Sequence, residues 1–351
     1  MQFAPGLNLL SGPNGHGKTN LLEAIHYGCL AHSQRTRKDK ELIGWNQDAF
    51  VIRLKAGSHA QSVQYRDSGH KRVKVNENES KRLSDLIGYF PIASFSPEDL
   101  DLIRGGPQVR RRFLDVLLCQ FSVEYLHLLR QYTQTLKQRN SLLKQLGSAR
   151  NPSQGNFSPE VLQAFDEPLI DTGTRLTLYR RRALIDLAPL SQAHYKSISD
   201  GGETLTLSLA GSVSEAEDEK ILREDFYRKL QALRGPEREV GSTLAGPHRE
   251  DLVFFLKDKS VRDYGSQGQK RSVALSVKLA SAKLLEAKNG HPPILLLDDI
   301  FAELDEKRRQ RIGELVSQGG QVFIANPGLG ELPFKDFKAE KIITLHQGRV
   351  V

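Results

Sequence analysis

Residues Gly12-Pro13-Asn14-Gly15-His16-Gly17-Lys18-Thr19 fit the spacing G-x-x-x-x-G-K-[ST], which can wrap a polyphosphate. Glycines let the backbone turn tightly around the anion, and the N–H groups of a following helix start supply positive potential. Lys18 is placed for the β- and γ-phosphates and the hydroxyl of Thr19 for Mg2+, with Asn20 closing the segment. A second reactive feature lies far downstream, where the apolar run Ile294-Leu295-Leu296-Leu297 ends in Asp298-Asp299. There Asp298 could hold Mg2+ through water, and Asp299 could orient or deprotonate an attacking water. A third is Tyr264-Gly265-Ser266-Gln267-Gly268-Gln269-Lys270-Arg271. Ser266 and the amides of the helix opening at Gln267-Gly268-Gln269 form a second anion site. Each piece alone has a plain structural reading, a chance Gly-Lys-Thr turn or an acidic helix cap.

Such residues need elements that hold them. Residues 7–10 read as a strand and Asn20-Leu21-Leu22-Glu23-Ala24-Ile25 as a helix start, the context a phosphate loop requires. The first 108 residues are mixed α/β. A basic turn at 33–40 is followed by short strands at 50–54, 62–65 and 71–75, a helix at 80–87 and an apolar segment at 90–95. Ser96-Pro97-Glu98-Asp99-Leu100 opens a helix, with serine to cap, proline at the first position and acids at the positive end. From 109 to 200 the chain turns helical. Leu114, Leu118, Phe121, Tyr125, Leu128, Tyr132 and Leu136 form one amphipathic stripe. Leu162, Phe165, Leu169, Leu176, Tyr179, Ala183 and Leu187 lie on a second stripe, and a loop at 147–156 separates the two. A strand at 205–209 and a helix at 217–233 follow. The last third returns to α/β, with strands at 252–256, 294–297, 321–325 and 341–345 and a helix at 268–288. The expected organisation is a phosphate-loop α/β head of mixed sheet from 1–108 and 241–351, with a mainly helical lobe from 109–240 inserted in the middle.

Composition narrows the class. The 351 residues suffice for a large core in two lobes. No apolar run approaches the ~20 residues of a membrane span, so no membrane association is expected. Two cysteines, Cys29 and Cys119, exclude a disulfide framework and a cysteine-based zinc site. A reduced, cytoplasmic setting follows. The net charge of +8 is concentrated, since residues 104–182 hold 13 Lys and Arg against 6 Asp and Glu. A local basic excess suits a polyanion such as DNA, or simply solvated helix faces.

A phosphate loop, a Ser-x-Gly-Gln turn opening a helix, an acidic strand and a Leu304-Asp305 turn, in that order, resemble the ABC-type ATPases. That resemblance implies a Ser266 site that serves a second subunit's nucleotide across a head-to-tail, ATP-dependent homodimer. Within this class the chain resembles the RecF family, related to the SMC heads. The match rests on Ser266 to Arg271, Ser96 to Leu100, Gly246-Pro247-His248-Arg249-Glu250-Asp251-Leu252, Arg110-Arg111-Arg112-Phe113-Leu114-Asp115 and Gly17 to Ile25, and it covers nearly the whole chain. The resemblance implies binding of duplex DNA beside single-stranded gaps and slow ATP hydrolysis. It also implies work with RecR and RecO to load RecA, roles in DNA replication, repair and the SOS response, and a nucleoid-associated location.

The chain departs from the family in places. Members carry more sequence ahead of the phosphate loop, so Met1 reads as a mis-assigned start, with loss of an edge hairpin as the other option. Asp299 stands where related ATPases carry Glu, and Ala325-Asn326-Pro327 lacks a switch histidine. Both favour weak hydrolysis, which makes ATP chiefly a dimerisation switch. Candidate DNA contacts are Arg110, Arg111, Arg112, Arg180 and Arg181. Consecutive arginines fan around a helix, so some can instead pair with Glu98, Asp99 and Asp101. His248 and Arg249 either line a ligand face or satisfy carbonyls of their own turn. No recognition helix or stacking platform is visible, so binding should be sequence-independent and steeply salt-dependent. A non-hydrolytic ATP-gated scaffold and a transporter motor subunit are the competing readings. The missing switch histidine and the basic helical middle argue against the motor.

Overall fold

The computed structural model of the chain describes residues 1–36, 38–80, 85–148, 159–199, 202–317, 320–325 and 338–351. Every residue of β1 (Leu7–Ser11) is buried, as befits a strand flanked on both sides in a parallel sheet. It leads into α1 (Lys18–Leu30), then β2 (Ala49–Ala56), β3 (His59–Arg66), β4 (Lys71–Val75), β5 (Asn78–Ser80) and β6 (Ile92–Phe95). A 3-10 turn at Pro97–Leu100 and α2 (Asp101–Arg104) precede α3 (Pro107–Cys119), α4 (Val123–Ser148) and α5 (Pro159–Ile198). Next come β7 (Leu205–Ala210), α6 (Glu219–Val240), β8 (Asp251–Leu256), β9 (Lys259–Ser260), α7 (Val261–Tyr264) and α8 (Gln267–Asn289). The chain ends with β10 (Ile294–Asp298), α9 (Glu306–Ser317), β11 (Val322–Ala325), β12 (Lys341–His346) and β13 (Arg349–Val350). Residues 81–84 of the expected helix and 149–156 of the expected loop lie outside the described residues, as do Asn326 and Pro327.

Two compact units result. The first holds Met1–Leu100, Leu190–Gly202 and Gln267–Val351, and the second Asp101–Pro189 and Glu203–Ser266. These limits differ from the expected 1–108, 109–240 and 241–351. Residues 241–266 join the second unit because β8 pairs along its length with β7, from Leu205↔Leu256 to Ala210↔Asp251. The last turns of α5 belong to the first unit, where Arg311 donates to the Ser197 carbonyl (3.5 Å).

The first unit is organised by a sheet of order β13-β12-β1-β11-β10-β6. Its β12-β1, β1-β11, β11-β10 and β10-β6 pairs are parallel. Parallel register puts strand ends together: Leu10 and Asp298 both pair with Ala325, and Leu297 pairs with Phe95. The segments after β1, β6 and β10 therefore leave from one carboxyl edge, where ligands bind in open α/β sheets. A separate antiparallel meander runs β2-β3-β4-β5. One of its faces packs on α1, where Tyr27, Ala31, Val63, Val73 and Leu86 form a buried cluster against Phe50 and Ile52. Gly28 allows that approach, because a Cβ there would lie 2.7 Å from the Leu54 side chain.

The second unit combines α3, α4, α6 and most of α5 with the antiparallel sheet β7-β8-β9. Both stripes face the core: Leu114, Leu118, Tyr125, Leu128 and Tyr132 are buried, as are Leu162, Leu169, Leu176, Ala183 and Leu187, while Phe121, Leu136, Phe165 and Tyr179 are half-buried at the margins.

Candidate functional site

After β1 the chain turns through Gly12, Gly15 and Gly17 at φ 142°, 78° and 98°, conformations that side-chain-bearing residues adopt at a cost. A side chain at Gly12 would also place its Cβ 2.4 Å from the Leu345 carbonyl oxygen. Gly17 is the N-cap of α1 and supplies no side-chain cap, so the first-turn N–H groups of the helix have no side-chain acceptor from it and present an anion site. Lys18 is buried, its Nζ donating to the carbonyls of Gly12 (2.7 Å) and Pro13 (3.1 Å). The β12–β13 hairpin buttresses the loop. Gly348 N–H donates to the His16 carbonyl (3.1 Å) and Gln347 N–H to His16 Nδ1 (3.3 Å). The His16 and His346 rings meet edge-to-face at 4.8 Å. That turn needs left-handed residues at both central positions, and Gln347 and Gly348 sit at φ 47° and 76°.

Parallel register brings the acidic strand end to the same place. Thr19 Oγ1 donates to Asp298 Oδ1 at 3.1 Å, joining residues 279 positions apart. Burial pushes the Asp298 carboxyl above its ordinary range; the Thr19 hydroxyl opposes this, and the negative charges of Asp299 and Glu98 reinforce it. Asp299 is left-handed (φ 46°), and its Oδ1 is buried without a donor among the described residues. A carboxylate oxygen so placed suits a water or a hydrated cation. The donor set, oxygens from Thr19 and Asp298, suits Mg2+.

Two residues at this edge escaped the sequence reading. Arg35 NH1 donates to Asn20 Oδ1 (3.4 Å), and its charge acts on Asp298. Ser33 Oγ holds the turn by accepting from the N–H groups of Arg35 and Thr36, both at 3.0 Å. Cations directly after the loop helix were the available signal. Arg308 NH2 donates to the Gly268 carbonyl (3.2 Å) and Ser272 Oγ (2.7 Å), and Arg308 pairs with Asp305. It thus ties the start of α8 to the Leu304-Asp305 turn. Gln267 and Gly268 are exposed at that helix start and Gln269 is half-buried, while Ser266 is exposed at the end of the second unit's chain.

The arginine clusters require correction. Arg110 is buried, its Nε and NH2 donating to Asp251 at 2.6 and 2.8 Å. Arg180 is buried too, reaching Asp115 (2.8 Å), Glu250 (2.6 Å), the Pro247 carbonyl (2.8 Å) and Tyr125 OH (3.0 Å). Neither presents its charge to a polyanion. Arg111 donates to the Glu250 carbonyl, and Arg181 to the Ser214 and Ala216 carbonyls. The acidic partners are Asp115, Glu250 and Asp251 in place of the expected Glu98, Asp99 and Asp101. Asp99 pairs instead with Lys278 (3.0 Å). His248 and Arg249 satisfy their own turn, each donating to the Thr243 carbonyl.

A family described as the RecF/RecN/SMC N-terminal domain matches residues 1–326. A DNA replication and repair protein RecF from Halalkalibacterium halodurans is 40% identical over 99% of this chain and 94% of its own length. The chain belongs to the RecF family. A RecF from Halothermothrix orenii is 41% identical over 91% of this chain and 85% of its own. A solved structure of the recombination mediator protein RecF with ATP, in the RecFOR pathway, superposes at TM-score 0.90 with 33% identity, covering 100% of this chain and 92% of that one. An Smc head from Pyrococcus furiosus shares the fold alone, at TM-score 0.51 and 17% identity. The RecF-family chain thus has the SMC/ABC-type ATPase head fold with a helical region inserted mid-chain. Among the described residues no helix is long and apolar enough to cross a membrane.

Proposed function

We propose that the chain is an ATP-switched DNA repair and replication protein that dimerises head to tail and binds duplex DNA beside single-stranded gaps. With RecR and RecO it then promotes RecA loading. The observation that carries this reading is the hydrogen bond from Thr19 to Asp298, which assembles a phosphate loop and an acidic strand end from the two ends of the chain. In this reading Lys18 and the first-turn amides of α1 hold the β- and γ-phosphates. Thr19 and, through water, Asp298 hold Mg2+, whose charge offsets that of the phosphates. Asp299 orients the attacking water. Its single-carbon stem reaches less far than the glutamate of related ATPases, which supports slow turnover and ATP as a switch. Ser266 lies exposed beside the start of α8, open to a second copy. A relative solved with ATP and named for the RecFOR pathway supports the nucleotide and the partners.

Sedimentation with and without ATP, on wild type and Ser266→Arg, in the presence of gapped DNA, tests this. ATP should double the mass of the wild type alone. An ATP-induced dimer that survives Ser266→Arg would refute the trans site. If Asp299→Asn still dimerises with ATP and supports gap repair as well as wild type, hydrolysis is dispensable and the scaffold reading stands.

A further inference from the structure

The clusters first expected to meet DNA turn largely inward, yet another set of cations faces out. In the β2–β5 meander, Ile52, Val63 and Val73 share a register row and lie on the α1 side. Alternation sends their neighbours to the opposite face. One outward row reads Arg53–Ser62–Lys74–Glu79, and the next Val51–Gln64–Arg72. Lys55 and Arg66 have the same parity on β2 and β3. Arg53, Lys55, Arg66, Arg72 and Lys74 are all exposed. Five cations therefore meet one acid, Glu79, which lies 3.8 Å from Arg72. Among the described residues Arg53, Lys55, Arg66 and Lys74 have no ion-pair partner. Between them stand Ala60 and Ser62, which are short, and Gln64, which is uncharged.

We propose that this outward face is a docking surface for the phosphate backbone of duplex DNA, an inference that rests on the DNA-repair reading above. Strands ~4.8 Å apart and alternate residues ~6.6 Å apart set neighbouring cations roughly 7–10 Å from one another. That spacing lets several side chains follow one phosphate track. Solvation alone does not call for it: Lys74 sits on β4 between Ser62 of β3 and Glu79 of β5, so it does not guard a sheet edge. Like charges held about one Debye length apart repel weakly and gain most from a polyanion. With small polar groups and no aromatic ring on either outward row, the face offers backbone contacts and no base readout.

The test measures affinity for a short blunt duplex against salt, using Arg53→Gln/Lys74→Gln. Both positions are exposed, so the unfolding temperature should be unchanged. Each cation removed should weaken binding about eightfold near 0.1 M salt and lower the log–log salt slope by about 0.9. A Ser62→Cys variant gives a second readout. Cys29 and Cys119 are buried, so maleimide should label the introduced thiol alone, and duplex should slow that labelling at low salt. Unchanged affinity and slope, with unprotected labelling, would overturn the proposal and leave the functional reading standing. A wild type that ignores duplex DNA but binds vesicles of anionic lipid would overturn both.

Discussion

At the carboxyl edge of the parallel sheet, Asp299 keeps a buried oxygen without a donor, and burial has already raised the Asp298 carboxyl. Inside the second unit, Arg180 makes four hydrogen bonds to Asp115, Glu250, Pro247 and Tyr125, and Thr177 adds a fifth contact to Glu250 at 2.5 Å. Arg139 shows the same pattern, fully buried against Asp166 (2.9 Å) and Glu237 (2.7 Å) with Thr243 at 2.9 Å. Both regions are dense in charge. One leaves charge and donors unmatched, which is what a ligand can exploit. The other sets its buried arginines against acids of the same unit, Arg180 against Asp115 and Glu250 and Arg139 against Asp166 and Glu237, which fixes helices and turns from distant parts of the sequence. Charge density does not mark a binding site; unmatched charge does.

The sharpest way to break this contrast is Arg180→Ala. It would strand Glu250 and Asp115, and removing one partner of a buried pair costs about 3–5 kcal/mol. Urea unfolding should show that loss, with nucleotide affinity preserved in the fraction that stays folded. A loss below about 1 kcal/mol would mean the network is not structural.

Acid should act on the same network. His248 receives a hydrogen bond from Tyr132 OH at Nδ1 (2.6 Å) and donates from Nε2 to the Thr243 carbonyl (3.0 Å), so the fold binds its neutral form. Burial pulls its pKa down to about 4. The unfolded chain takes up the proton first, near pH 6.5, so stability is lost as pH falls from about 6.5 to about 4. The loss is at most about 3 kcal/mol. Unfolding measured across that window should show it, and His248→Asn should remove its share, leaving the loss from His194, whose pKa burial also lowers.

How much of this was legible follows the same division. The phosphate loop and the Ile294–Asp298 strand could be read because each is local: glycine spacing, one lysine, an apolar run. Their meeting through Thr19 and Asp298 could be inferred from motif order. The fate of Arg110 and Arg180 could not, because it depends on Asp251 and Glu250, 141 and 70 positions away. The units of the fold differ from the expected lobe limits for a similar reason, since β8 reads as one more strand until its partner β7 is known. The cations at 53, 55, 72 and 74 alternate along two strands, but they were not singled out, because only the register shows that they share a face.

At the nucleotide edge, Lys18→Met should reverse the Arg180 result. Among the described residues its ammonium bonds only to two loop carbonyls, and no acid there has to be left unpaired. Folding stability should shift by less than about 1 kcal/mol, while ATP affinity should fall about a hundredfold, near 2.7 kcal/mol. Equilibrium binding of a fluorescent ATP analogue beside thermal unfolding separates the two. A protein that binds ATP normally but unfolds early would place Lys18 with the structural arginines.

The smallest effect belongs to Arg182, two residues from the largest. On a helix those two residues point about 200° apart. Arg180 enters the core and Arg182 is exposed. Replacing Arg182 with glutamine strands no acid and opens no cavity, so stability should stay within about 0.5 kcal/mol of wild type. Duplex affinity, if the meander carries the contacts, should change far less than in Arg53→Gln/Lys74→Gln. Denaturation midpoints and salt-dependent binding on the two variants decide this together. A large affinity loss confined to Arg182→Gln would return the DNA track to α5, where unmatched charge would then have to be sought among the exposed positions around it.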